Sequence, residues 1–153
     1  MSLSLILPAA ILLLGMASGW LSGSGNRSPW FATIAKPWFM PPGWVFPVVW
    51  TILYLMMGVA LAQVVGSHAP ERPIAIGLFA AQLALNLAWS PIFFAAHRIR
   101  LALVVMILLD AIVIVTTILF ARIGAAPALL LAPYLAWLAL ATALNAAIVR
   151  LNR

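Results

Sequence analysis

The chain has no cysteine and, among 153 residues, only two acidic side chains, Glu71 and Asp110. Lack of cysteine removes disulfides, thiolate catalysis and cysteine metal sites, and leaves the redox compartment open. The sequence shows no carboxylate pair, nucleophile beside a base, phosphate-binding loop or metal-ligating cluster. Charge of either sign is scarce: 7% of residues are charged, where a soluble domain has about a quarter. Hydrophobic residues make up 67%. A chain of this size has too little interior to hide so much apolar surface, so the surplus must face lipid. The net charge of +6 comes from eight basic residues scattered between apolar runs. There they set membrane topology, and no nucleic-acid partner is expected.

Five apolar runs are present, roughly Leu3–Leu21, Trp44–Val65, Ile74–Ala96, Leu101–Phe120 and Ala128–Val149. Each suffices to cross a ~30 Å hydrocarbon core at about 1.5 Å per residue. None alternates apolar and polar residues as a barrel strand would. The expectation is an all-α integral membrane protein, a five-transmembrane-helix bundle forming a single domain over 1–153. The first run lacks a basic leader and a processing site and reads as a retained helix. The breaks carry Pro, Gly and charge: Ser67 to Pro73, His97 to Arg100, and Arg122 to Pro127. These connections are short, so successive helices should run antiparallel. Arg72 and Arg122 fall on one side of the bundle, and Arg27, Lys36, Arg98, Arg100, Arg150 and Arg153 on the other. That bias predicts a cytoplasmic C-terminus and first loop.

The first connection, Ser22 to Gly43, is long. It opens with Ser22-Gly23-Ser24-Gly25-Asn26 and turns aromatic at Trp30, Phe31, Trp38 and Phe39, ahead of Trp44. Loops of this length are usually functional or disordered, and the aromatic content argues for order. It reads either as an interfacial tryptophan belt or as a lid over a cavity, stiffened by Pro37, Pro41 and Pro42.

Polar groups at membrane depth face the bundle interior. Gln82, Asn86, Trp89 and Phe93 fall on one helical face. Tyr134, Trp137, Ala141 and Asn145 repeat that spacing, and Phe46, Trp50, Tyr54 and Met57 line a third face. Together they suit a shared aromatic cavity for a large, flat apolar ligand; equally, Gln82, Asn86 and Asn145 would serve bonds between helices. Pro91 and Pro133 are expected to kink their helices, while Pro47 occupies an early turn. Asp110, the one acid inside a span, reads as structural or as a relay group. His68 and His97, at span ends, read as solvated. Gly15 and Gly19 form a GxxxG pattern, and Gly77, Ala80, Ala81, Ala84 and Ala88 a small-residue ridge; either would serve internal packing or a dimer.

Three stretches resemble a known family. Lys36-Pro37-Trp38-Phe39-Met40-Pro41-Pro42-Gly43-Trp44-Val45-Phe46-Pro47, with Trp50 to Tyr54, is similar to the first-loop and second-helix motif of the TspO/MBR family of tryptophan-rich sensory and translocator proteins. Gln82 to Phe94 resembles its third-helix motif, and Pro133 to Ala139 with Asn145 its fifth. The resemblance implies a five-helix bundle, often a homodimer, that binds porphyrins such as protoporphyrin IX and haem, and other hydrophobic small molecules including sterols. It implies no required cofactor and no metal. Family ligands sit beneath the first loop, which makes Trp50, Tyr54, Asn86, Trp89, Phe93, Trp137 and Ala141 the pocket candidates, with Trp30 and Trp38 from the lid. Ala146 to Arg150 lacks the aromatic residue of the sterol-recognition pattern, and Leu101 stands where animal members carry tryptophan; both suit a bacterial member in the cell membrane or an outer membrane. The function implied is a porphyrin sensor or regulator of tetrapyrrole metabolism and transport. The alternatives are a porphyrin transporter and a light-dependent porphyrin-degrading enzyme. With no conventional catalytic set, enzyme activity is the lesser expectation.

Overall fold

A computed structural model describes residues 2–153. It contains five long helices and one short helix: α1 (Leu3–Leu21), α2 (Pro29–Thr33), α3 (Val45–Val65), α4 (Arg72–Ser90), α5 (Ile99–Ile123) and α6 (Ala125–Leu151). All but α2 are apolar and long enough to cross a membrane. No strand occurs among the described residues. The protein is therefore an integral, multi-pass, all-α membrane protein. Helices α5 and α6 run two or three residues beyond their apolar runs at each end. Backbone hydrogen bonding continues past the Pro127 and arginine positions that interrupt the apolar runs, and hydrophobicity alone cannot register that.

Neighbours around the bundle follow the order α1, α3, α6, α5, α4, with α4 returning more lightly to α1. Between α4 and α1 the Ser18 hydroxyl donates to the Leu87 carbonyl at 2.7 Å. Lipid tails are as apolar as leucine, so helices gather here through close packing and hydrogen bonds rather than escape from water. The tightest approach is between α1 and α3. Pro8 is buried inside α1, and a side-chain carbon on Gly58 would collide with its backbone. Gly15 of the GxxxG pattern meets the Tyr54 ring in the same way. That half of the pattern serves internal packing, whereas Gly77, Ala80, Ala81 and Ala84 lie exposed on α4.

The three prolines expected to shape the cavity helices behave differently. Pro47 sits in the first turn of α3, where its missing N–H is no loss. Pro133 lies within an unbroken α6. At Pro91 the helical path widens into a π turn, Pro91–Ala95. The chain then reverses at His97, which takes a left-handed φ of 57°.

The half of the bundle farther from the first loop is filled. Met57, Ala60 and Val64 of α3, Phe79 of α4, Leu109, Val113 and Phe120 of α5, and Leu131 of α6 are all buried there. Phe79 and Phe120 stack with centroids 6.1 Å apart. The half beneath the loop is built differently.

Candidate ligand-binding cavity

Beneath the first loop lies a cavity of about 670 Å³, within the ~300–1,000 Å³ typical of small-molecule sites. Its walls come from α1, α3, α4, α6 and the loop; α5 contributes only Met106. Nine of the lining residues are aromatic. Trp50 stacks on Tyr54 at 5.3 Å and meets Trp137 edge-on at 6.4 Å. Phe46 also packs against Trp137 edge-on, at 5.6 Å. Across the cavity Trp89 stacks on Phe93 at 4.8 Å. Trp137 also lines a shallow apolar groove with Ile52 and Pro133, so it lies between the two spaces.

A chain of polar groups closes the inner end. The Tyr54 hydroxyl donates to Asn86 Oδ1 (2.7 Å), and Asn86 Nδ2 donates to the Tyr134 hydroxyl (2.8 Å). Tyr134 in turn donates to Gln82 Oε1 (2.7 Å). These bonds join α3, α4 and α6 where the packed core begins. Nearer the loop, Trp89 Nε1 donates to Asn145 Oδ1 (3.0 Å), and Asn145 Nδ2 donates to the Ile99 carbonyl (3.0 Å). The two sequence readings of these polar residues are thus compatible. Asn86 and Asn145 bond helices together and line the cavity. Gln82 is fully buried behind them. Among the described residues the Trp137 indole N–H is buried without an acceptor.

The loop is folded over this space. Ser28 caps α2 by accepting from the Phe31 N–H (3.1 Å). Phe31 packs on Phe94 at 5.3 Å, and Trp30 packs on Phe93 at 5.6 Å. The π turn presents both phenylalanines to the loop. Farther along, Asn152 Oδ1 accepts from the Ala35 N–H while its Nδ2 donates to the Ala35 carbonyl, both at 2.9 Å. The end of α6 thereby holds the middle of the loop with a reciprocal pair of bonds.

Of the residues expected at the site, Trp50, Tyr54, Asn86, Trp89, Phe93, Trp137 and Ala141 are all in the wall. Trp30 and Trp38 are not. Trp30 backs Phe93 and stacks on His97 at 4.2 Å, and His97 itself is exposed. Trp38 is 95% exposed and touches Phe39 at an edge. A motif places a tryptophan in a loop but leaves open which way the loop turns it. Asp110 lies away from the wall, accepting from the Thr142 hydroxyl at 2.6 Å between α5 and α6. Among the described residues no His, Asp and Glu side chains gather as a metal site. Sequence reasoning missed Gly15 and Ser18 of α1, and Arg27 and Lys36 of the loop, all of which line the cavity. Arg27 was read only as a marker of topology, and Lys36 as that and as the first residue of the first-loop motif.

A five-span bundle with a loop folded over a tryptophan-lined cavity defines the class as a multi-pass membrane protein. Residues 6–151 match the TspO/MBR family, and the chain belongs to it. It is 44% identical over 125 residues to the tryptophan-rich protein TspO of Chlorobaculum tepidum, covering 80% of this chain and 79% of that one. It is 34% identical over 152 residues to protein CrtK of Rhodobacter capsulatus, covering 98% and 95%. With the human translocator protein it shares 39% identity over 140 residues, 90% and 82% of the two chains. Membership assigns a membrane sensory or translocator role.

Proposed function

We propose that the cavity binds a porphyrin, such as protoporphyrin IX or haem, and that the protein senses or regulates tetrapyrrole metabolism and traffic. The observation that carries this is the aromatic wall itself. Trp50, Tyr54, Trp89, Phe93 and Trp137 surround one space of about 670 Å³, which suits a flat, mostly apolar macrocycle. Other hydrophobic molecules of similar shape would compete for it. The ligand is a cargo or signal, and no resident cofactor is required. A homodimer remains part of the proposal, and the exposed small residues of α4 would suit its interface. The Lys/Arg bias supports a cytoplasmic C-terminus if the host is the cell membrane. A C-terminal reporter active only outside the cytoplasm would refute that orientation.

The test is titration of the detergent-purified protein with protoporphyrin IX, in darkness, followed by tryptophan quenching. Saturable binding is expected. An aromatic contact adds roughly 0.5–1.5 kcal/mol beyond the area it buries. Trp137→Ala should therefore weaken binding about tenfold, close to 1.4 kcal/mol, whereas Trp137→Phe keeps a π face and much of the affinity. Unchanged affinity in monodisperse, helical Trp137→Ala would place the ligand elsewhere. A second sample under illumination separates binding from chemistry. A stable porphyrin spectrum fits a binding protein, and a bilin-like product formed only in light would establish degradation instead.

A further inference from the structure

Two cations line the cavity, and neither is neutralised. Arg27 donates through Nη1 to the Trp20 carbonyl (3.1 Å), with its guanidinium 5.1 Å from the Trp20 ring centre. Lys36 Nζ donates to the Ile34 carbonyl (3.1 Å) and lies 4.7 Å from the Phe31 ring centre. These contacts hold the side chains at the mouth without cancelling their charge. The nearer of the two acids along the chain, Glu71, lies beside α4 at the opposite end of the bundle, and Asp110 is bonded to Thr142 away from the wall. The loop end also carries Arg98, Arg100, Arg150 and Arg153. The positive bias of cytoplasmic loops explains which end these charges occupy. It does not explain why two of them form part of a cavity wall whose other side chains are all uncharged.

We propose that Arg27 and Lys36 form an anion-recognition rim, and that the ligand is a carboxylate-bearing amphiphile whose apolar body enters first and whose acid groups stay at the loop. This rests on the porphyrin reading and refines it to the free acid of a porphyrin rather than a neutral, esterified or acid-free macrocycle. The ends of the cavity match such a molecule. Its inner end has the Tyr54–Asn86 bond, already satisfied and uncharged, and its mouth has two cations whose present partners are only carbonyls and ring faces. A carboxylate binds a guanidinium or ammonium more strongly than a neutral carbonyl does. Bringing one in would release weak contacts and form charge-assisted ones. The four further cations at that end would draw an anion toward the mouth over a distance set by salt.

The experiment compares protoporphyrin IX with its dimethyl ester, which has the same macrocycle and no negative charge, in a neutral detergent. The wild-type protein should bind the diacid about tenfold more tightly than the diester, with the preference shrinking as salt rises. Arg27→Gln or Lys36→Gln should reduce the diacid-to-diester ratio about threefold, and the double variant should abolish it. Arg100→Gln removes a cation from the same end but not from the wall, and should change the ratio less than twofold. Equal wild-type affinity for diacid and diester overturns the rim while leaving porphyrin binding intact. A ratio that responds to Arg100→Gln as strongly as to the rim variants overturns it as a site in favour of a diffuse field. Failure of both porphyrins to bind the wild type overturns the rim and the porphyrin reading together.

Discussion

Removing Asn86 should be harmful chiefly because of what it leaves behind. Asn86→Leu keeps a side chain of similar size but deletes the acceptor for Tyr54 and a donor to Tyr134. Tyr134 still donates to Gln82. Tyr54, only 8% exposed, is left with a buried hydroxyl and no acceptor. An orphaned buried donor costs about 1–3 kcal/mol, and interhelical bonds within membranes average nearer 0.6 and reach about 1.7 kcal/mol. A loss of about 1–2 kcal/mol is therefore expected, or roughly 3–6 °C in melting temperature for a chain of this size. Tyr54→Phe alone should also destabilise, since it leaves the amide oxygen without its donor. In the Asn86→Leu background the same change removes the orphan, so the double variant should melt about 2 °C above Asn86→Leu. The sign of that step is the test. Thermal unfolding of all four proteins in one detergent, followed by circular dichroism, provides the cycle. If Tyr54→Phe lowers the melting temperature equally in both backgrounds, the two residues are uncoupled, and the polar chain across α3, α4 and α6 does not hold the bundle in the manner described.

The α1–α3 contact is expected to tolerate even less. Gly58→Ala places a methyl group against the Pro8 backbone, and overpacking of this kind costs about 1–3 kcal/mol, which the same melts would detect. A methyl group accepted with no change in melting temperature would show that α1 stands off α3. Asn152→Ala removes both bonds to Ala35. It should quicken porphyrin association and release together, by about threefold or more, with little change at equilibrium, and it should speed hydrogen exchange at the Ala35 amide. Stopped-flow traces superimposable on wild type would rule out Asn152 as a fastener of the loop.

The spans were legible because lipid imposes a length and a hydrophobicity that few other environments require. Much of the site was legible for a related reason. Tyr54, Asn86, Trp89 and Trp137 are bulky or polar at membrane depth, so helical spacing alone assigns them to inward faces. What α1 contributes to the wall was hidden, because Gly15 was legible only as half of a packing pattern and Ser18, which donates to the Leu87 carbonyl, is one small hydroxyl with no spacing to mark it. The orientation of Trp30 and Trp38 was hidden for another cause. Loop side chains follow tertiary contacts, here the phenylalanines of the π turn, and not a period. The widening at Pro91 was expected only as a kink. A missing N–H can be accommodated by bending or by lengthening the turn, and the residues around it decide which.

The filled half of the bundle bears on how cargo could move. Beyond the Tyr54–Asn86–Tyr134 chain, Met57, Phe79, Phe120 and Leu131 are buried in one packed core. In this form the protein is a cup set in the bilayer, not a pipe through it. An occupant that arrives under the loop would meet this packed core as the floor of its site, and the shorter ways out would be past the loop or between helices. Carriage from one face to the other would require several close-packed side chains to part in concert. Delivery within one leaflet, from membrane to a waiting acceptor on the same side, requires only that the lid lift.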